Sequence, residues 1–236
     1  SPPDITEQEI QEVAQALRSG WITTGPRTKE FERLIAEYCH TEKAVCLNSA
    51  TACMELILHL LGVGPGDEVI TSAYTYTATA SVTCHVGAKV VMVDTAPDSF
   101  EMDYDKLAAA ITPRTKVIIP VDLFGLPADF AAIQKIADKY GLLVLEDAAQ
   151  GFGGNINGKV ACSFGDISTT SFFPAKPLGC YGDGGAIFTD NDAVAERLRS
   201  IRAGGKSPLD KYDNREVGTN SRLDTLQAAI LLPKFK

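Results

Sequence analysis

Short runs of β-branched and apolar residues alternate with helical patterns along the chain, and this alternation constrains the fold most. The runs typical of strands are 44–47, 68–71, 89–93, 116–121 and 142–146, and the segments between them carry apolar residues at helical spacing. Parallel strands need a crossover of a dozen or more residues, which is usually a helix. The sequence therefore predicts an α/β fold with a mostly parallel central sheet flanked by helices on both faces.

Both ends of the chain extend this pattern with helices. Thr6 and Glu9 have the spacing of a capping box, and Gly20 is a residue that ends a helix. The final helix is predicted over residues 221–232. The amino-terminal helix carries Ile10, Val13, Ala14 and Leu17 on one face.

Composition excludes several classes of partner. Acidic residues outnumber basic ones, 30 to 22, and the basic residues are scattered, so nucleic acid is not an expected partner. No apolar run reaches the ~20 residues that cross a bilayer, and no signal peptide is seen. The six cysteines and three histidines show no metal-ligand spacing, so no metal site is predicted. Cys46, Cys53 and Cys84 are interpreted as buried free thiols, and a cytoplasmic location is expected.

Lys176 differs in its surroundings from the other lysines. It lies between Pro174 and Pro177, just after an apolar strand pattern, and several glycines follow it. Proline disfavours the α conformation in the residue before it, so Lys176 is expected on a rigid turn rather than a solvated helix face. A lysine desolvated at the edge of a sheet becomes a nucleophilic amine. An ordinary exposed lysine is the alternative.

Asp147 ends the predicted strand 142–146, and open α/β sheets bind ligands beyond the carboxyl ends of their strands. A helix cap or a surface acid is the alternative interpretation. Glu146 and Asp147 point to opposite faces of the strand, so only one of them serves a given site, and periodicity does not choose between them.

Two further segments follow predicted strands. In Asn48-Ser49-Ala50-Thr51 a predicted strand ends and a helix begins. Free N–H groups at a helix start, together with hydroxyl groups, are typical of phosphate binding. A simple helix cap is the alternative interpretation. In Tyr74-Thr75-Tyr76 an aromatic ring is placed to stack on a flat heterocycle, although such rings are more often part of a core.

Taken together, these segments resemble the DegT/StrS group of sugar aminotransferases, which are fold-type I pyridoxal-phosphate enzymes. The matching stretches follow the family's order along essentially the whole chain; they are residues 20–26, 64–70, 146–150, 171–185 and 218–224. The resemblance implies that residues 1–236 form the pyridoxal-phosphate-binding large domain with an N-terminal helical segment. The family's small C-terminal domain is expected to be absent from this chain or truncated.

The resemblance also assigns roles residue by residue. Lys176 would hold pyridoxal 5'-phosphate covalently, and Asp147 would pair with its ring nitrogen. The remaining cofactor-binding assignments are Ala50, Thr51 and Ser171 for the phosphate, Tyr76 for stacking on the ring, Gln150 for the ring hydroxyl, and Asn220 for the cofactor of a neighbouring subunit. Arg222 is a weaker candidate for binding an anionic substrate.

The implied reaction is transamination of a keto-sugar nucleotide with an amino-acid donor, L-glutamate by resemblance, for amino-sugar and surface-polysaccharide biosynthesis. The role given to Asn220 implies a homodimer with shared active sites. One alternative is a pyridoxal-phosphate sugar dehydratase of the same family, in which histidine replaces the lysine, so Lys176 argues against it. The other is a non-catalytic regulatory protein that keeps the fold.

Overall fold

The computed structural model describes residues 3–207, 209–210 and 212–235, which contain nine strands and eight α-helices. The strands are β1 (Lys43–Leu47), β2 (Glu68–Ser72), β3 (Lys89–Val93), β4 (Thr115–Ile119), β5 (Leu143–Asp147), β6 (Asn155–Ile156), β7 (Lys159–Val160), β8 (Ile167–Ser171) and β9 (Gly185–Thr189). The helices are α1 (Glu7–Ser19), α2 (Pro26–Cys39), α3 (Ala50–Leu60), α4 (Thr77–His85), α5 (Tyr104–Ala110), α6 (Phe130–Tyr140), α7 (Asp192–Ile201) and α8 (Thr225–Lys234).

The chain forms two compact units, and their boundaries fall inside α3 and β8. The second unit, Met54–Thr169, contains parallel strands in the order β8-β5-β4-β2-β3, and the antiparallel β6-β7 hairpin. Apolar residues of these strands and of α5 and α6 form its core; among them are Ile70, Ile118, Val144, Leu107 and Ile133. The parallel strands bring the residues that follow β2, β4 and β5 to one edge of the sheet.

The first unit comprises Ser1–Cys53 and Thr170–Lys236. Here β1 pairs antiparallel with β9, which neighbours β8, and α1 and α2 pack on α8. Phe31 of α2 lies edge-to-face against Phe172, with 5.2 Å between the ring centroids, and both side chains are fully buried. This aromatic contact anchors the segment that runs from β8 towards Lys176.

The predicted α/β class is confirmed, and most predicted elements coincide with observed ones. The strand predicted at residues 89–93 has the same first and last residues as β3. The predicted capping box of Thr6 and Glu9 lies at the start of α1, and both of its hydrogen bonds are formed. Within the described ranges, no helix has the length and apolar composition needed to cross a bilayer. In the same ranges, no group of three or more histidine, cysteine or acidic residues is arranged to hold a metal ion.

The apolar face of α1 is only partly buried. Ile10 and Leu17 are 50% and 53% exposed, and Val13 and Ala14 are half-buried. Glu9 and Ala16 of the same helix are buried, and the capping box holds Glu9 against the backbone of Thr6.

Two other sequence-based expectations are corrected. The last helix begins at Thr225 rather than at 221, because the backbone of residues 221–222 runs beside the end of β1: the Ser221 carbonyl accepts the N–H of Asn48, and Arg222 forms a bridge with Leu47. Cys84 is exposed near the end of α4, while Cys46 and Cys53 are buried as expected. All six thiols are free of disulfides.

A buried ion pair ties α2 to the end of α7 in the first unit. The Arg202 guanidinium lies 2.6 Å from a carboxylate oxygen of Glu32, and both side chains are at most 8% exposed. The same Glu32 oxygen accepts the N–H of Cys46, and Arg202 donates to the Cys46 carbonyl. Each partner therefore neutralises charge that the other buries, and the Arg199 guanidinium lies 3.9 Å from the second Glu32 oxygen.

We expect Arg202→Met to lower the free energy of unfolding by about 3 kcal/mol, because it leaves the buried Glu32 carboxylate with only the more distant Arg199 as a partner. Adding Glu32→Gln removes that charge and keeps an acceptor for Cys46, so the double variant should recover most of the loss. Urea unfolding of the two single variants and the double variant measures the coupling. Additive losses would contradict this account.

Glu68 at the start of β2 makes the second unit sensitive to acid. Its carboxylate accepts the Thr112 hydroxyl at 2.6 Å, the Arg114 guanidinium at 2.8 Å and the Lys89 ammonium at 3.2 Å. The hydrogen bonds from Thr112 and Arg114 lower the pKa of Glu68 to about 2. A carboxyl group with a lowered folded-state pKa stabilises the fold above its unfolded pKa of ~4.3, and that contribution is lost as the pH falls towards 2.

We therefore expect Glu68→Gln to reduce the part of the unfolding free energy that disappears between pH ~5 and pH ~2. Thr112→Val should act in the same direction and less strongly, because it removes only one donor. Urea unfolding at a series of pH values tests both variants. Parallel pH profiles for the wild type and Glu68→Gln would refute the assignment.

Candidate active site

Asp147 is the last residue of β5 and is only 3% exposed. One carboxylate oxygen accepts the N–H of Ala149 at 3.1 Å, and the other accepts the hydroxyl of Thr79 at 2.8 Å. Donors of this kind favour the ionised carboxylate. Asp147 is thus held in one orientation at the carboxyl end of β5.

The structure separates the roles of Glu146 and Asp147. Glu146 is fully buried and its carboxylate accepts the N–H groups of Cys162 and Phe164 and the hydroxyl of Ser168. These three donors come from the segment just before β8 and from β8 itself. Glu146 therefore holds the protein's own backbone in place, whereas Asp147 bonds to the Thr79 hydroxyl and the Ala149 N–H.

Gln150 and Tyr76 lie in the second unit with Asp147. The side-chain oxygen Oε1 of Gln150 accepts the backbone N–H of Phe124 at 3.0 Å, so the side-chain NH₂ group is left as a donor. Tyr76 is the residue before the first turn of α4, the turn in which Thr79 bonds to Asp147. Its ring is 71% exposed, which leaves a face open for stacking.

In the first unit, Ala50 and Thr51 are the first residues of α3. The Ser49 hydroxyl accepts the N–H of Ala52, which leaves the N–H groups of Ala50 and Thr51 at the positions where a helix has no internal acceptor. A Cβ atom on Gly185 would lie 2.6 Å from the Ala50 nitrogen, so this helix start lies directly against the beginning of β9.

Ser171 and Lys176 follow one another on a tight segment after β8. The Ser171 hydroxyl accepts the N–H of Phe173, so its own hydrogen is available to a ligand, and the Lys176 N–H donates to the Phe173 carbonyl at 2.8 Å. Phe172 bonds to the Gly184 carbonyl beside Gly185. The start of β9 thereby brings Ser171 and the Ala50–Thr51 turn to the same part of the first unit.

Lys176 is half-buried and lines a cavity of about 770 Å³. The start of α1 and the end of α8 form the other walls, including the polar side chains of Glu7, Gln8 and Lys234. Of the predicted cofactor-binding residues, Lys176 alone lines this cavity among the residues that the structure describes.

The glycines that follow Lys176 are packed against other atoms of the protein. A Cβ atom at Gly179 would lie 2.7 Å from the Pro174 carbonyl oxygen, and one at Gly185 would lie 2.5 Å from the carbonyl carbon of Ser49. At Gly182 and Gly184 the nearest atoms belong to the side chains of Gln227 and Cys180, at 2.9 and 3.0 Å. At Gly179 and Gly185 the neighbouring backbone is so close that any side chain would collide with it.

Asn220 and Arg222 lie on the extended stretch before α8. Asn220 is exposed and forms an isolated bridge with Ala203, so its side chain is free to reach outwards from the first unit. The Arg222 Nε atom is buried and has no hydrogen-bond partner among the described residues. Buried donors without an acceptor are uncommon in folded proteins.

Sequence reasoning missed Thr79 and Asp122. Thr79 is 68 residues from Asp147 in sequence, and no local pattern links the two. Asp122 follows the apolar run of β4 just as Asp147 ends that of β5, so the argument used for Asp147 would have found it. Its side chain is fully buried in the second unit.

Comparison with known proteins shows similarity to one family of aminotransferases. The profile of the DegT/DnrJ/EryC1/StrS aminotransferase family matches residues 3–236. The chain is 50% identical over 224 residues to the UDP-2-acetamido-2-deoxy-3-oxo-D-glucuronate aminotransferase of Pseudomonas aeruginosa, with 95% of this chain and 62% of the relative covered. It is 43% identical over 219 residues to the dTDP-3-amino-3,4,6-trideoxy-alpha-D-glucose transaminase of Streptomyces venezuelae, covering 93% of this chain and 57% of that one.

Solved structures show the same similarity. Spr1654 from Streptococcus pneumoniae, solved in its pyridoxal-phosphate form, superposes with a TM-score of 0.95 at 41% identity. That match covers 100% of this chain and 65% of the other. The chain therefore spans less than two thirds of the length of these relatives.

Proposed function

The chain belongs to the DegT/DnrJ/EryC1/StrS aminotransferase family, and from this premise we propose that it transfers an amino group from an amino acid to a keto-sugar nucleotide with pyridoxal 5'-phosphate as cofactor. The observation that carries the proposal is Lys176, a half-buried lysine on a turn between two prolines that lines a cavity of about 770 Å³. The two relatives above are named for this reaction on UDP- and dTDP-linked sugars.

The first unit offers donors that suit the phosphate of the cofactor. The N–H groups of Ala50 and Thr51 lie at a helix start, where the helix dipole also favours an anion. The Ser171 hydroxyl still has its hydrogen to donate, because its oxygen already accepts the Phe173 N–H. These donors bind a dianion without a dedicated basic residue, so the residues present fit the group.

The second unit offers groups that suit the pyridine ring. Asp147 would accept the ring N–H and keep that nitrogen protonated, because Thr79 and Ala149 already stabilise its ionised form. The Gln150 amide would donate to the ring hydroxyl, and the exposed ring of Tyr76 would stack on the cofactor. Pyridoxal phosphate, when bound, supplies a ring that accepts the electron pair released at the substrate carbon.

Lys176 would act twice in this scheme. Its amine holds the cofactor by a covalent bond, and once the amino donor replaces it, the freed amine moves a proton at the substrate carbon. The turn from Ser171 to Lys176 supports both actions, because its backbone hydrogen bonds fix where the side chain starts.

The remaining parts of the proposal concern assembly and location. The exposed Asn220 would reach the cofactor phosphate of a second copy, so we propose a homodimer with shared active sites. The amino donor would be L-glutamate, and Arg222, with its unpartnered Nε, would bind an anionic group of a substrate. The six free thiols are consistent with a reducing compartment, and we place the protein in the cytoplasm.

The dehydratase of the same family needs histidine at the position of Lys176, and a regulator needs no reactive amine there. The deciding experiment incubates purified protein with pyridoxal phosphate, L-glutamate and a panel of UDP- and dTDP-linked keto sugars. Amino-sugar and 2-oxoglutarate in equal amounts are expected. Loss of water from the sugar without 2-oxoglutarate would favour the dehydratase, and no cofactor uptake at all would favour the regulator.

A further inference from the structure

Residues 172–184, which we call the lysine loop, carry Lys176 and are closed at their base by backbone hydrogen bonds. The Phe172 N–H donates to the Gly184 carbonyl at 2.7 Å, and the Cys180 N–H donates to the Phe172 carbonyl at 2.8 Å. Residues 174–179 of the loop all line the cavity of about 770 Å³. On that side open volume, rather than packed protein, lies against the loop, so support for its outer part has to come from another side.

Helix α8 contacts the outer part of the lysine loop at two places. The side-chain oxygen Oε1 of Gln227 accepts the Tyr181 N–H at 3.0 Å, and the Lys234 ammonium donates to the Gly179 carbonyl at 3.2 Å. Lys234 also lies over the Tyr181 ring, 4.4 Å from its centroid. A Cβ atom on Gly182 would lie 2.9 Å from Nε2 of Gln227, so the side-chain amide lies directly against the loop backbone.

Helix α8 is itself fixed at both ends, which makes it a firm support. At its start, the N–H and the hydroxyl of Thr225 both donate to the Thr23 carbonyl. At its end, the Phe235 ring lies edge-to-face against the buried Phe31, with 6.1 Å between the ring centroids. The two side chains that contact the loop lie on one face of α8, about two turns apart. They therefore hold the loop at two separate points.

We propose that Gln227 and Lys234 are positioning residues for Lys176: they hold the lysine loop against α8 and so fix where the amine can reach. The inference rests on the proposed function, in which the same amine holds the cofactor and later moves a proton. Both actions need the amine at one place, and a displacement of about 1 Å at a reacting group can cost about 10²-fold in rate.

Gln227→Met tests the first contact, because methionine keeps the length of the side chain and removes the acceptor of the Tyr181 N–H. We expect kcat to fall by about 10- to 100-fold with KM little changed, since the variant displaces the amine and removes no substrate contact. Covalent cofactor should still form on Lys176. Gln227→Glu keeps an acceptor for the same N–H and should recover most of the lost kcat.

Lys234→Met tests the second contact. It removes the donor to the Gly179 carbonyl and keeps an apolar chain beside the Tyr181 ring, so kcat should fall in the same way but less strongly. The covalent bond at Lys176 should again be kept. Gln134 provides a matched control for the change of glutamine to methionine, because it lies on α6 of the second unit, where its amide donates to Asp138. Gln134→Met should leave kcat unchanged.

Hydrogen exchange of the protein without cofactor reports the hold on the loop independently of activity. Amide exchange in a peptide that covers residues 177–184 should be faster in Gln227→Met than in the wild type, because the Tyr181 N–H has lost its acceptor. It should return towards the wild-type rate in Gln227→Glu. Exchange in a peptide that covers β5 should be the same in all three proteins. Mass spectrometry of peptic fragments makes the measurement.

The outcomes separate this inference from the proposed function. Unchanged exchange of the loop in Gln227→Met would show that α8 does not hold it, and equal losses of kcat in Gln227→Met and Gln227→Glu would rule out the hydrogen bond as the cause. Faster exchange with a wild-type kcat would refute the role for Lys176. If the wild type takes up no pyridoxal phosphate, the proposed function fails and the positioning role with it, even where the exchange results are as expected. If Gln227→Met does not fold, Lys234→Met supplies the same comparison.

Discussion

Replacing Lys176 by alanine should remove covalently bound cofactor and lower turnover by about 10⁴-fold, the upper end of acid–base effects, because the same amine holds the cofactor and moves the proton. The fold should survive, since Lys176 is half-buried and its backbone N–H still donates to Phe173. The measurement combines the visible absorbance of the bound cofactor with borohydride reduction and peptide mass mapping, which should place the adduct on the peptide that contains Lys176.

Lys234 provides a matched control because it lines the same cavity as Lys176. Its ammonium group donates to the Gly179 carbonyl at 3.2 Å and lies over the ring of Tyr181, so it is already engaged by the protein. Lys234→Ala should keep the covalent cofactor. An adduct that maps to Lys234, or one that survives in Lys176→Ala, would show that the assignment is wrong.

Asp147→Asn should lower turnover by about 10²- to 10³-fold and weaken cofactor binding much less. The amide keeps the size of the side chain and an acceptor for the hydroxyl of Thr79 or the N–H of Ala149, but it carries no charge to hold the ring nitrogen protonated. Steady-state kinetics and a cofactor titration, measured on the same preparation, separate the two effects.

Asp138, an exposed aspartate on α6, is the control for the change of aspartate to asparagine. Asp138→Asn should leave both measurements unchanged. If Asp147→Asn turns over at a rate close to that of the wild type, Asp147 is not needed to keep the ring nitrogen protonated. The buried hydrogen bond between Asp147 and Thr79 then has only a structural role.

The sequence was sufficient for those features that depend on neighbours along the chain. The alternation of strands and helices, the capping box at Thr6 and Glu9 and the strand at residues 89–93 all follow from local spacing and local hydrogen bonding. The unusual setting of Lys176 between two prolines is equally local. The position of Asp147 at a strand end follows from the parallel sheet that the alternation implies.

Other features depend on which residues meet in space, and only the tertiary structure decides them. The choice between Glu146 and Asp147 follows from donors that come from Thr79 and from the segment before β8. Gly179 and Gly185 are explained by backbone segments that pack against them. The late start of α8 has the same kind of cause, because residues 221–222 hydrogen-bond beside β1.

The exposed face of α1 shows the physical reason most clearly. Its apolar residues satisfy the helical period, yet Ile10 and Leu17 are about half exposed, while Glu9 and Ala16 of the same helix are buried. A periodic pattern specifies which residues share a face, whereas burial depends on what lies opposite that face. Distant parts of the chain supply those neighbours, and no local pattern in this sequence encodes them.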